Sequence, residues 1–133
     1  MTTSFPRLLH TVLDTTDARG LAEFYRELLG LRYRPGDEGT GPAQWLVLLD
    51  GDGARVLAFQ QVEQLARSTW PAGDVPMQVH VDFTVPDRAA LEHHHARSLA
   101  LGAQVLVDRT DDPEEPLYVL ADPAGHPFCL FVG

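Results

Sequence analysis

Between positions 78 and 85, Val79, Val81, Phe83 and Val85 alternate with His80, Asp82 and Thr84. That is the period-two pattern of a strand with one apolar and one polar face. Asp87 then stands as a helix N-cap, because a short carboxylate accepts the unpaired N–H groups of a first helical turn. A helix is predicted over about 88–101, stopping at Gly102. The first half of the chain has the same order. It predicts a strand over 8–14, an N-cap at Asp17 and a helix over about 18–29, with Leu21, Phe24, Tyr25 and Leu28 on one face. Gly30 supplies the left-handed residue that ends this helix.

Three shorter extended segments come after each helix. They are 32–34, 45–49 and 55–62 in the first half, and 104–107, 117–121 and 127–132 in the second. Asp50-Gly51-Asp52-Gly53 and Asp122-Pro123-Ala124-Gly125 are turn sequences that join the last two strands of each half as hairpins. The polar stretches 35–42 and 109–116 occupy equivalent loops.

The two halves are copies of one unit. An offset of 70 residues lays His10 on His80, Asp17 on Asp87 and Leu21 on Leu91. A two-residue insertion in the helix then moves the offset to 72, which matches Leu29-Gly30 to Leu101-Gly102, Asp50 to Asp122, Gly53 to Gly125 and Phe59 to Phe131. The expected organisation is one domain of two tandem βαβββ modules, the first over about 7–62 and the second over about 77–133, joined by a linker over 63–76. A ferredoxin-like dimer is the competing fold, but its units run βαββ, with one strand too few after the helix.

Composition narrows the functions. A hydrophobic fraction of 44% and a charged fraction of 22% suit a globular domain that buries a core without disulfides. No apolar run reaches the roughly 20 residues that span a bilayer, and the single Cys129 gives no sign of an oxidising compartment. We therefore expect a cytoplasmic protein with no membrane contact. A formal charge of −9 opposes binding to a phosphate backbone and favours cationic ligands by steering.

A histidine ending the first strand, then Ala22-Glu23-Phe24-Tyr25-Arg26-Glu27-Leu28-Leu29-Gly30-Leu31, resembles the opening of a vicinal-oxygen-chelate protein. The closing Ala121-Asp122-Pro123-Ala124-Gly125-His126-Pro127-Phe128-Cys129-Leu130 resembles the final hairpin of that superfamily of glyoxalases, ring-cleaving dioxygenases and bleomycin-resistance proteins. The resemblance implies an α+β fold in which both modules build a cup-shaped mixed sheet with helices on its convex side. It also implies a homodimer, and a small-molecule pocket in the cup.

In the superfamily's enzymes, the first and last strands of each unit supply the metal ligands. The first-strand histidines carry over to His10 and His80. The last-strand ligand is usually a glutamate, a hard donor for divalent metals. Here that position falls on Cys129 and, by the repeat, on Leu57, with Phe59 or Gln61 as alternatives on the same face. None is a carboxylate, so the metal site reads as degraded. His10, His80 and Cys129 are the candidates for a three-ligand site, since a thiolate binds zinc.

Other candidates are independent of a metal. His80 and Asp82 share a strand face, so the aspartate can orient the imidazole as an acid–base group or simply pair with it. Trp45, Trp70, Phe59 and Phe131 join His10, His80, Asp82 and Cys129 as the predicted pocket lining, with Trp70 of the linker as a candidate lid. Three consecutive histidines, His93, His94 and His95, cannot converge on one metal from a helix and read as a solvated face. His126 reads as an exposed turn residue. The sequence thus leaves two main readings. One is a metal-free protein that binds an aromatic or cationic small molecule. The other is a metal-dependent lyase, isomerase or dioxygenase using His10 and His80.

Overall fold

The computed structural model describes residues 4–133. Module one contributes β1 (Thr11–Thr15), α1 (Ala18–Leu29), β2 (Arg32–Tyr33), β3 (Trp45–Leu49) and β4 (Arg55–Gln61). Module two contributes β5 (Val81–Val85), α2 (Arg88–Ala100), β6 (Gln104–Arg109), β7 (Leu117–Ala121) and β8 (Pro127–Val132). Each forms a four-stranded mixed sheet, in the order β1-β4-β3-β2 and β5-β8-β7-β6. First and last strands pair in parallel and the other neighbours are antiparallel. The α+β arrangement with its twofold repeat agrees with the sequence pattern.

The first strands begin later than the alternation predicts. In parallel register Thr11 lies opposite Leu57 and Val81 opposite Phe128. Extending that register sets residues 9 and 10 against Arg55 and Val56, at the bulged start of β4, and His80 against Pro127, which has no N–H to donate. Leu8 and Leu9 are left 88% and 61% exposed.

Both helices start as predicted, with the Asp17 and Asp87 carboxylates accepting from Gly20 N and Ala90 N. Gly30 ends α1 at φ 67°, a left-handed conformation. Helix α2 ends through Leu101 in right-handed geometry, with the positive φ displaced to Gly102.

Helix α1 links the sheets. Its buried Phe24 and Tyr25 rings reach past their own module to Phe128 of β8, at 5.8 and 6.2 Å between centroids. The Tyr25 hydroxyl donates to Asp122 Oδ2 at 2.7 Å, within the final hairpin. From α2, the Arg97 guanidinium donates to the carbonyls of Glu27 and Leu28, which α1 leaves unpaired at its C-terminus. One continuous apolar cluster therefore runs beneath both sheets on the helix side.

The three histidines of α2 do not form a uniform solvated face. His93 is exposed, but the Nδ1 of His94 meets the Arg97 guanidinium at 3.0 Å. His95 stacks on Tyr118 of β7 with ring centroids 3.7 Å apart. His126 is half-buried and its Nε2 contacts the Asp14 carbonyl at 2.6 Å, joining the second hairpin to β1.

Candidate functional site

Pairing register decides which side chains face away from the helices. Leu13 and Phe59 are partners and lie in the core beneath the helices. The neighbouring pairs, Val12 with Ala58 and Asp14 with Gln60, therefore point to the concave side. Trp45, Val47, Leu49 and Ala58 form a separate apolar cluster there. On the second sheet, Asp82 partners Cys129, Thr84 partners Phe131 and Val119 partners Cys129, which puts these residues on the corresponding face.

This register corrects one predicted pocket residue. Phe59 is fully buried on the helix side and stacks on Tyr25 at 6.0 Å. Leu57 and Gln61 share its face. The cause is an irregularity in the β3–β4 ladder between Leu48 and Leu49, where Leu48 pairs with Leu57 but Leu49 with Arg55. Val56 is the extra residue. A one-residue bulge moves every later side chain to the other face, so the position matching Cys129 is Ala58 and not Leu57. Neither Ala58 nor Gln60 is a carboxylate.

The described cavity nearest the predicted chemistry belongs to module two and the linker alone. Trp70, Met77, His80, Arg109, Leu117, Val119, Pro127 and Cys129 line a volume of about 360 Å³. Trp70 closes one side from the linker. Linker residue Arg67 spans to the final hairpin, donating to the Pro123 carbonyl at 3.2 Å across the face of Gly125. His10 and Trp45 lie outside this cavity, on sheet one, where their rings approach to 5.8 Å.

Burial governs the thiol of the cavity. The Cys129 thiol is pushed up to about 11, first by burial and then by the neighbouring Asp82 carboxylate. At neutral pH, with no cation beside it, it is therefore a thiol rather than a thiolate. His80 Nε2 stands 3.5 Å from Asp82 Oδ1, with both side chains about half exposed, at 47% and 52%. This is a loose surface pair rather than a buried one. His10 is held below the ordinary imidazole value by burial and by Arg55 and Arg34. Its Nδ1 is buried with no hydrogen-bond partner.

Arg109, Met77, Leu117 and Val119 were not among the predicted lining residues. Leu117 and Val119 had a readable signal, because they alternate along β7 and Val119 lies opposite Cys129. Arg109 had none, since it falls in a polar stretch that reads as loop and is in fact the last residue of β6.

The family model for a glyoxalase-like domain matches residues 10–131. The chain belongs to the glyoxalase-like family. Solved structures share its fold at low identity. A glyoxalase/bleomycin resistance protein/dioxygenase family enzyme from Burkholderia phytofirmans is 16% identical, with a TM-score of 0.68 over 93% of this chain and 96% of that one. The fosfomycin resistance protein FosX from Mesorhizobium loti is 22% identical, with a TM-score of 0.68 over 98% and 94%. FosX from Listeria monocytogenes is 17% identical, with a TM-score of 0.69 over 98% and 95%. No curated protein matches the chain in sequence.

Among the described residues no three His, Cys, Asp or Glu side chains gather as a metal-holding group. The last-strand positions facing the concave side hold Ala58, Gln60, Cys129 and Phe131, none of them a carboxylate. Of the described helices, none is long and apolar enough to cross a membrane.

Proposed function

We propose that this glyoxalase-like protein binds a small organic molecule in the module-two cavity and has lost the superfamily's metal site. The observation that carries the reading is the composition of that cavity. Trp70, Met77, Leu117, Val119 and Pro127 give it apolar walls, while His80, Arg109 and Cys129 supply a few converging polar groups. Small-molecule sites have this make-up, and about 360 Å³ lies within their usual range.

The working form is a homodimer in this reading. What supports it is the uncovered apolar lead-in to β1, with Phe5, Leu8 and Leu9 at 86%, 88% and 61% exposure and Val12 at 41%. Strands β1 and β5 are both sheet edges with free backbone groups.

A fragment screen read by NMR tests the reading. Aromatic and alkyl fragments are expected to shift the Trp70 indole N–H and the Leu117 and Val119 methyls, and Trp70→Ala is expected to weaken binding by about tenfold. The same sample should run at twice the chain mass of 14.7 kDa. Fragments that shift only residues far from the cavity, or that bind Trp70→Ala equally well, would contradict the reading.

A further inference from the structure

We infer that the preferred ligand carries an anionic oxygen group, a carboxylate or its like, on an apolar body, and that Arg109 is the residue that selects it. The inference rests on the ligand-binding reading of the same cavity and names the class of ligand. It runs against the sign of the whole chain, whose net charge is −9.

The cavity wall supports it through the state of its charged groups. Arg109 is the one arginine in the lining, and among the described residues its guanidinium makes no ion pair and no side-chain hydrogen bond. The neighbouring carboxylate is already engaged. Asp82 faces His80 at 3.5 Å, lies opposite Cys129 across the β5–β8 ladder and is not part of the cavity lining. Glu115, the other carboxylate acting on that thiol, is exposed in the loop before β7 and screened by water.

Position gives the guanidinium its reach. Arg109 pairs with Leu117 across the β6–β7 ladder, and Leu117 is two residues from Val119 on the same strand face. A bound molecule would lie with its apolar part on Trp70, Met77, Leu117 and Val119, and its charged end at the β6 edge. Arginine presents a planar fork of donors that matches a carboxylate with two parallel bonds. Low-dielectric walls beside it strengthen that attraction. An ammonium group at the same place would meet a like charge.

Three compounds of one shape and different head groups separate the possibilities: phenylbutyrate, phenylbutanol and phenylbutylamine. Calorimetric titration of wild-type protein is expected to show the acid binding about tenfold more tightly than the alcohol, with the amine weakest. In Arg109→Gln the acid should lose its lead and bind no more tightly than the alcohol binds to the same variant. Because Arg109 is exposed at a strand end, this variant keeps the core intact. The inference is overturned if the amine binds tightest, if all three bind alike, or if the lead of the acid survives in Arg109→Gln. Protein that binds none of the three overturns the pocket reading along with it.

Discussion

Phe59→Lys is expected to leave the protein unfolded, while Gln60→Lys, one residue further on, is expected to fold and melt within about 3 °C of wild type. Phe59 is fully buried against Tyr25 beneath the helices. Replacing a buried aromatic ring costs roughly 3–5 kcal/mol before any charge is considered. An unpaired ammonium in the same place adds several kcal/mol more. The sum reaches the whole stability of an ordinary domain, about 5–15 kcal/mol. Gln60 is exposed on the opposite face and pairs with Asp14, so a lysine there gains an opposite charge across the ladder. Circular dichroism melts of the two variants read the difference directly. If both fold, Phe59 faces the concave side and the bulge at Val56 is misplaced.

The second large effect belongs to the buried pair that ties α1 to the final hairpin. Tyr25→Phe is expected to destabilise the protein by roughly 1–3 kcal/mol, because it leaves Asp122 Oδ2 without its donor in an apolar surrounding. Asp122 Oδ1 also accepts from Ala124 N and His126 N, so Asp122→Ala should cost more than Tyr25→Phe by loosening the turn. Burial raises the Asp122 carboxyl above its ordinary value, with the Tyr25 hydroxyl, His126 and the turn N–H groups offsetting this only in part. A folded-state value above the unfolded one means that the folded protein holds the proton to higher pH. The stability from this group is then full below the unfolded value, about 3.9, and is lost as pH rises through the raised folded value. The stability of wild type relative to Asp122→Asn should therefore fall as pH increases across that window. Urea unfolding of both proteins at several pH values measures it, and a difference that grows with pH would refute the assignment.

The sequence made the architecture legible because each element announces itself locally. Asp17 and Asp87 cap helices, the residues around β5 alternate, and Asp50 and Asp122 each fold a turn by accepting two N–H groups from it. These signals depend on near neighbours, so spacing alone carries them. Where the outcome depended on distant pairing, the spacing misled. The extra Val56 in β4 is invisible in the hydrophobic pattern, yet it moved Phe59 into the core and brought Ala58 to the concave face. The strand starts moved for a related reason, since residues 9 and 10 come opposite the bulged start of β4 and His80 comes opposite Pro127.

The candidate site was legible only in part, and for the same physical reason. His80, Trp70 and Cys129 do line one cavity, whereas His10 and Trp45 sit on the other sheet. A twofold sequence repeat says that two positions are equivalent, not that they converge. Arg109 shows the opposite failure, because nothing about a polar stretch reveals that its first residue is a strand residue beside Leu117. The acidic net charge favours a cationic ligand by steering, whereas the lining of this cavity contains no Asp or Glu side chain.

The most direct test of a lost metal site is the metal content of tag-free protein, wild type beside His10→Ala/His80→Ala, after exposure to Zn, Ni, Mn and Fe. The expected result is well under about 0.2 metal ions per chain, with no difference between the two proteins, because Ala58 and Cys129 offer no hard oxygen donor at the last-strand positions. About one metal ion per chain in the wild type, lost in the double variant, would contradict it and make the two histidines part of a working metal centre.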